Sequence, residues 1–461
     1  MLNLTLTIIG KTISKTSQML NRGNGSTWPG HIALNVNRHF IRDILSNSGI
    51  KTIIIAGTNG KTTTTSLIRA GLEQNGKKVI QNVSGANLLN GIASALLLKT
   101  NSVNKLTQDY ALFEVDENAL PQVLKQIEPD YLILLNLFRD QLDRYGEINT
   151  IAEKWKEAIT RLPSKTKLVL NADDPQIAYL GQVLTPDYKL RHPVLDLGSK
   201  KIDSHFRRND MQRNILYFGL NDEKSKHKSH QAADSISCPK CGNKLTFEDI
   251  TFSHLGNWKC AKCGLQRPKK IFTDTPFYPL SGTYSKYNIN AAVLVLQDLK
   301  INHKEINEAL KNFKPSFGRQ EIIRYQDRNV QLFLSKNPTS FNQSYQTIKD
   351  LHAQTLLVTL NDRIPDGRDI SWIWDTDLSE LDKFKHVIIS GDRVYDMALR
   401  IQYAYKEKWK MENDKWTIEP NLEKAIAVGM QKISKNETLF ILPTYSAMLD
   451  VRKILTGKKI L

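Results

Sequence analysis

Short aliphatic runs separated by amphipathic stretches set the plan of this chain. Residues 52–56 form a compact β-branched run, residues 61–75 space their apolar side chains as a helix does, and further strand-like runs lie at 110–115, 131–137 and 168–170. Strands alternating with helices imply a mainly parallel sheet covered on both faces, an α/β fold. Before it, the pattern predicts a helical leader over residues 1–50, broken by glycine and proline around 21–30 and followed by a second amphipathic helix to about Ser48. A polar, lysine-rich stretch from about 221 to 270 interrupts the alternation and reads as an insertion. After Pro315 the alternation resumes with strands at 355–360, 386–390 and 439–442, which predicts a second, Rossmann-like α/β domain. The expected boundaries are 1–50, 51–314 with an insertion at about 225–272, and 315–461.

The 461 residues are 40% hydrophobic and 24% charged, enough for two or three domains with their own cores and unlike a disordered or fibrous chain. No run approaches the roughly 18 apolar residues of a membrane span. The amino terminus lacks a basic start and a small-residue cleavage site, so it does not read as a signal peptide and points to the cytoplasm. A net charge of +17 favours polyanions, whether nucleic acid, anionic lipid or a phosphorylated substrate, without choosing among them.

The cysteine pattern is more selective. All 4 cysteines fall in two Cys-x-x-Cys knuckles, Cys238 with Cys241 and Cys260 with Cys263. Their separation suits a four-thiolate Zn²⁺ ribbon, and Gly242 and Gly264 stand where each knuckle turn needs a positive φ. Four sulfurs close the coordination sphere, so the site is expected to be structural. His227, His230 and His254 lie nearby and are expected to be ordinary surface residues.

Directly after the first strand comes Gly57-Thr58-Asn59-Gly60-Lys61-Thr62-Thr63, leading into a helix. Strand, glycine loop and helix N-terminus make a phosphate cradle in which backbone N–H groups face the phosphates, Lys61 neutralises them, and the Thr62 hydroxyl reaches Mg²⁺. Only two residues separate the glycines, a shorter loop than the general pattern.

That shortened loop resembles the ATP-binding loop of the Mur ligase superfamily. Glu114-Val115-Asp116-Glu117, the Asn136 to Arg144 segment and Asn171-Ala172-Asp173-Asp174-Pro175 each follow a strand, where open α/β sheets place their ligands. The resemblance implies Mg²⁺ binding by Glu114 and Thr62, adenine or ribose contacts by Asn171 and Asp174, and a nucleotide contact by Arg319 of Phe317-Gly318-Arg319-Gln320-Glu321. For the acidic residues, helix N-capping is the alternative.

Within the superfamily the chain is most similar to the MurT branch, over nearly its whole length. It shares the ribbon, Lys336-Asn337-Pro338 and Asp366-Gly367-Arg368-Asp369-Ile370-Ser371-Trp372, and departs from it at Ser285 and Ser340, which touch local substrate contacts. This likeness implies ATP-dependent amidation of the D-glutamate α-carboxylate of lipid II to D-isoglutamine through an acyl phosphate, at the inner face of the membrane. Lys61 and Glu114 would serve the phosphoryl transfer. Since every cysteine is committed to the ribbon, the nucleophile that frees ammonia from glutamine would sit on a separate glutaminase subunit, GatD, whose catalytic pair Asp369 would complete. Pairing with Arg368 or Arg363, or capping a helix before Trp372, is the alternative for Asp369. An amino-acid-adding Mur ligase or folylpolyglutamate synthase would share the ATP residues but not the ribbon or the Asp366 to Trp372 segment. A nucleic-acid binder would leave the phosphate loop unused, and no nucleic acid is expected as a partner.

Overall fold

The computed structural model describes residues 2–19, 27–83, 85–103, 105–139, 148–184, 214–221, 234–273, 275–405 and 415–458. The aliphatic runs form β1 (Lys51–Ala56), β2 (Val79–Gln81), β3 (Tyr110–Val115), β4 (Tyr131–Leu134), β5 (Lys167–Asn171) and β6 (Ile215–Phe218). They pair in parallel in the order β2-β3-β1-β4-β5-β6. Side chains alternate across the sheet, so Ile54 and Phe113 enter one core while Ile53, Ile55 and Leu112 enter the other. With every strand parallel, all carboxyl ends open on one edge, and β1 sits at the centre between β3 and β4. The run expected as a strand to 137 leaves the sheet after Leu134, which frees Asn136 to turn toward the loop after β1.

The first fifty residues fold as helices Leu2–Met19, Trp28–Val36 and Phe40–Ser46. The expected single second helix is broken at Asn37, whose side-chain oxygen accepts from His39 N at 2.9 Å and whose amide donates to Asp43 at 2.8 Å. Pro29 and Gly30 lie inside the helix Trp28–Val36. Pro29 occupies the first turn, where no N–H is needed, and a Cβ on Gly30 would come within 2.0 Å of Asn90 O. Leu6, Ala33, Phe40 and Ile41 join the core that holds Ile54, so this leader is packed into the sheet's own hydrophobic core.

The insertion carries an antiparallel hairpin, β7 (Thr246–Phe252) and β8 (Leu255–Lys259), and returns to the sheet where Phe272 bridges Phe218. Its expected start at 225, with His227 and His230, lies outside the described residues, as do Asp140 to Arg144. The second sheet contains β9 (Arg319–Tyr325), β10 (Arg328–Phe333), β11 (Thr355–Thr359), β12 (His386–Ser390), β13 (Trp416–Ile418) and β14 (Thr438–Pro443). Its order is β13-β12-β11-β14-β10-β9, parallel except for β9. No described helix is long and apolar enough to cross a membrane.

Candidate functional site

The phosphate loop is built by two glycines and one asparagine. Gly57 has φ of 144°, and a Cβ there would press on Leu135 and the Asn136 backbone at 3.0–3.1 Å. Gly60 caps the helix Lys61–Gln74 with φ of 90°, and its Cβ would fall 2.1 Å from Asn288 Oδ1. Both positions exclude a side chain. Asn136 holds the loop from beyond β4: its Oδ1 accepts from Asn59 N at 3.0 Å, its Nδ2 donates to Asn59 O at 3.1 Å, and its carbonyl accepts from Thr58 N at 3.1 Å. Phe138 N donates to Thr58 Oγ1 at 3.0 Å, and that hydroxyl donates back to Phe138 O at 3.2 Å.

Lys61 is buried and turned into its own loop. Its Nζ donates to Gly57 O at 2.5 Å, to Thr58 O at 3.2 Å and to Glu117 at 3.2 Å. Next to it, Thr62 Oγ1 donates to Glu114 Oε2 at 2.8 Å, and Gln81 approaches the other oxygen at 3.4 Å. Burial raises the Glu114 carboxyl above the usual carboxylate range, opposed by the Thr62 hydroxyl and by the charges of Arg319 and Lys61. A hydroxyl and a carboxylate side by side at a helix N-terminus are hard oxygen donors that fit Mg²⁺ bound with a nucleotide.

Arg319 belongs to the other sheet, yet its charge acts on Glu114, and its side chain borders a cleft beside the glycine loop. Asn59, Thr63 and Asn288 line the cleft on one side, and Arg319, Ser340 and Gln343 on the other. Asn59 Nδ2 and both carboxamide atoms of Asn288 are buried there without a well-formed partner among the described residues, although the Tyr284 hydroxyl faces Asn288. Buried amides without partners at a cleft are available to a ligand or to water there. Glu117, Asn136 and Asn288 therefore join the site without having been assigned in the sequence. Asn136 and Glu117 lie in the segments singled out after β3 and β4, and the position after each strand was the available signal.

Asn171 and Asp174 do not open onto this cleft. Both are fully buried. Asn171 donates to Leu135 O at 2.9 Å and accepts from Asp173 N at 3.0 Å. Asp174 caps the helix Pro175–Gln182 through Gln176 N and Ile177 N, and its second oxygen accepts from Leu137 N at 2.9 Å. The capping alternative is thus realised at Asp174.

In the ribbon, Cys238 and Cys263 sulfurs are 3.6 Å apart, Cys241 and Cys260 likewise, and all four lie within 4.8 Å of one another. A tetrahedron with Zn–S of about 2.3 Å needs edges of about 3.8 Å, so the four thiols fit Zn²⁺. None is in a disulfide. The knuckles repeat one turn, with Gly242 N donating to Cys238 O and Gly264 N to Cys260 O, at φ of 71° and 72°. A Cβ at either glycine would meet nothing, so the requirement is conformational. Burial pushes the Cys238 thiol up to about 12, whereas the Cys263 backbone N–H draws Cys260 down to about 7. His254 corrects the expectation of a surface residue: it is fully buried at the hairpin tip, since Phe252 and Leu255 on either side enter the core and carry it inward.

Asp369 lies away from the cleft lining, on an exposed loop of the second domain. Its Oδ1 accepts from Ser371 N at 2.8 Å, which holds its carboxyl below the usual range. Arg363 pairs with Asp392 and Asp450, Asp362 with Arg393, and buried Asp366 with Ser446. Among the described residues no cation pairs with Asp369.

Fold and phosphate loop together define a Mur-type ligase architecture. A family model for the Mur ligase middle domain matches residues 55–214, and one for the MurT ligase C-terminal region matches 334–448. Among solved structures, the chain is similar to a pseudomurein peptide ligase type C from Methanothermus fervidus (22% identity, TM-score 0.61, 88% of this chain and 79% of that one). It is also similar to MurF ligase from Thermotoga maritima in complex with ADP (14%, TM-score 0.58, 92% and 83%). These share the fold. Subunit MurT of the glutamine-hydrolysing lipid II isoglutaminyl synthase of Staphylococcus aureus is 30% identical over 418 residues, 87% of each chain. Its Streptococcus pneumoniae counterpart is 30% identical over 478 residues, 98% of each. The chain belongs to the MurT family.

Proposed function

We propose that the chain is the ATP-using subunit of a lipid II isoglutaminyl synthase, turning the D-glutamate α-carboxylate of the stem peptide into an amide. The observation that carries this reading is the cluster of Lys61, Thr62 and Glu114 at the glycine loop, with Arg319 of the second sheet near enough for its charge to act on Glu114, in a chain that MurT relatives match over 87% and 98% of its length.

A free carboxylate is a poor acyl donor. Its oxygen attacks the γ-phosphorus of ATP, ADP leaves, and an acyl phosphate results. Lys61 exchanges its loop carbonyls for phosphate oxygens, Thr62 and Glu114 would hold Mg²⁺, and Arg319 brings the second domain's charge to the nucleotide. When bound, Mg²⁺ supplies charge neutralisation at the phosphates. Ammonia then adds to the acyl carbon, a proton is lost, and phosphate departs. Buried Asn171 and Asp174 shape the base end of the site through the backbone they hold.

Ammonia is mostly protonated in neutral water and has to be made beside the acceptor. With all 4 cysteines in the ribbon, we assign glutamine hydrolysis to a separate GatD-type subunit. Asp369 is the residue to meet it, being ionised, exposed and flanked by Ile364 and Trp374, which are 69% and 50% exposed. Work at lipid II places the complex in the cytoplasm, peripheral to the membrane. The test is the acceptor dependence of ADP release: stimulation by lipid II plus ammonium is expected, and stimulation only by an added amino acid would identify a peptide-extending ligase instead.

A further inference from the structure

The ribbon reaches beyond its own fold. Trp258 Nε1 donates to Ala172 O at 3.1 Å, Gly256 N donates to Asp173 O at 3.1 Å, and Arg267 Nε donates to Asp173 Oδ1 at 2.7 Å. His254 Nε2 lies 3.5 Å from Asp174 Oδ2. Ala172 and Asp173 are thus held by one hairpin and its flank, and the next residue, Asp174, lies against the hairpin tip. Asp173 is completed from the other side by Tyr287 OH at 2.7 Å and Leu220 N at 3.0 Å, so the segment has little freedom once the ribbon is in place.

His254 is the unusual member. Its ring packs 4.8 Å from that of Phe138, and neither nitrogen has a partner in hydrogen-bond geometry among the described residues. A buried imidazole without such partners is costly, and its retention needs a reason. The contacts beyond it supply one. Asp174 Oδ2 also accepts from Leu137 N, and the next residue, Phe138, clamps Thr58 of the phosphate loop through two hydrogen bonds. From the hairpin tip to the loop is therefore a path of two packed residues. An isolated two-stranded hairpin is marginal in water, and the four sulfurs pin both strands at the end away from the tip.

We propose that His254 is a positioning residue for the nucleotide site, and that the ribbon with its metal bound sets nucleotide affinity as well as stability. This rests on the reading that ATP occupies the Gly57 to Thr63 loop. It concerns binding rather than chemistry, because His254 meets Phe138 and Asp174 rather than Lys61, Thr62 or Glu114.

The test uses the full-length protein with a fluorescent ADP analogue and Mg²⁺. His254→Phe keeps the ring packing and removes both nitrogens. It is expected to weaken binding roughly tenfold, about 1.4 kcal/mol, and to raise KM for ATP by a similar factor. Its kcat at saturating ATP should stay within about twofold, with one zinc per chain retained. Arg267→Lys, which leaves the hairpin tip intact, should shift affinity in the same direction and guards against misfolding of the first variant. Stripping zinc from the wild-type protein should weaken binding, and Zn²⁺ alone should restore it. Unchanged affinity in both variants, or equal losses in kcat, affinity and melting temperature, would overturn the proposal. Lys61→Ala separates the two readings: if it binds the analogue like wild type, the ATP-loop reading fails, whereas if it loses binding and His254→Phe does not, only the present inference fails.

Discussion

Lys61 carries the sharpest chemical expectation at the scale of single residues. In the sequence it reads as the lysine that neutralises the phosphates, so that truncation would remove a charge needed there and nothing buried in a core. The structure buries it against Glu117, and truncation also breaks that buried ion pair. Lys61→Ala is therefore expected to lower amidation at least about a hundredfold and to lower the melting temperature as well, with zinc content unchanged. Turnover near wild type would contradict the loop's role. Glu114 makes the opposite trade. Its carboxyl titrates above the ordinary range because it is buried, so the folded protein takes up that proton more readily than the unfolded chain. Ionised Glu114 then costs stability above its folded pKa, and the cost fades as pH falls through that value. At neutral pH, Glu114→Gln should raise the melting temperature while abolishing Mg²⁺-dependent ADP formation. A variant that loses both activity and stability would show that the carboxylate supports the fold. In the wild type, activity should fall off on acidification at a higher pH than an unperturbed glutamate would dictate.

At the scale of elements, the ribbon separates what a sequence discloses from what it conceals. Its metal site was legible because four ligands and two turn glycines lie in two short runs, and the phosphate loop was legible for the same reason. His254 was not, because its burial depends on a hairpin folding onto residues 172–174 and Phe138, more than seventy positions away, and the surrounding lysine-rich composition points outward. The leader shows the same limit: spacing predicted helices, but the break at Asn37 and the entry of Leu6 and Ala33 into the core follow from long-range packing. Asp174 was read both as a ligand contact and as a cap, and the cap is what the helix after β5 uses. Cys238→Ser or Cys263→Ser should reduce zinc below one per chain and lower the melting temperature, since a structural site contributes folding energy directly. Unchanged metal content in both would refute the four-thiolate site.

At the scale of the whole molecule, the two sheets carry different parts of the proposed site. The first holds the glycine loop with Thr62 and Glu114, while the second presents Arg319 to the cleft and Asp369 to solvent. Asp369→Asn should depress glutamine-driven amidation strongly, since a neutral amide cannot stabilise an imidazolium on a partner. Amidation supplied with high ammonium should fall much less, because the cleft is untouched. Equal losses would assign Asp369 to the acceptor or the fold. The central claim, that this subunit exchanges a carboxylate for an amide, is tested most directly by the mass of lipid II after incubation with ATP, glutamine, Mg²⁺ and the complex with its glutaminase. The expected product is lighter by the difference between a hydroxyl and an amino group, with fragmentation locating the change at the D-glutamate α-carboxyl and no product when ATP is omitted. A product heavier by an amino-acid residue, or unchanged lipid II while ATP is consumed, would contradict it.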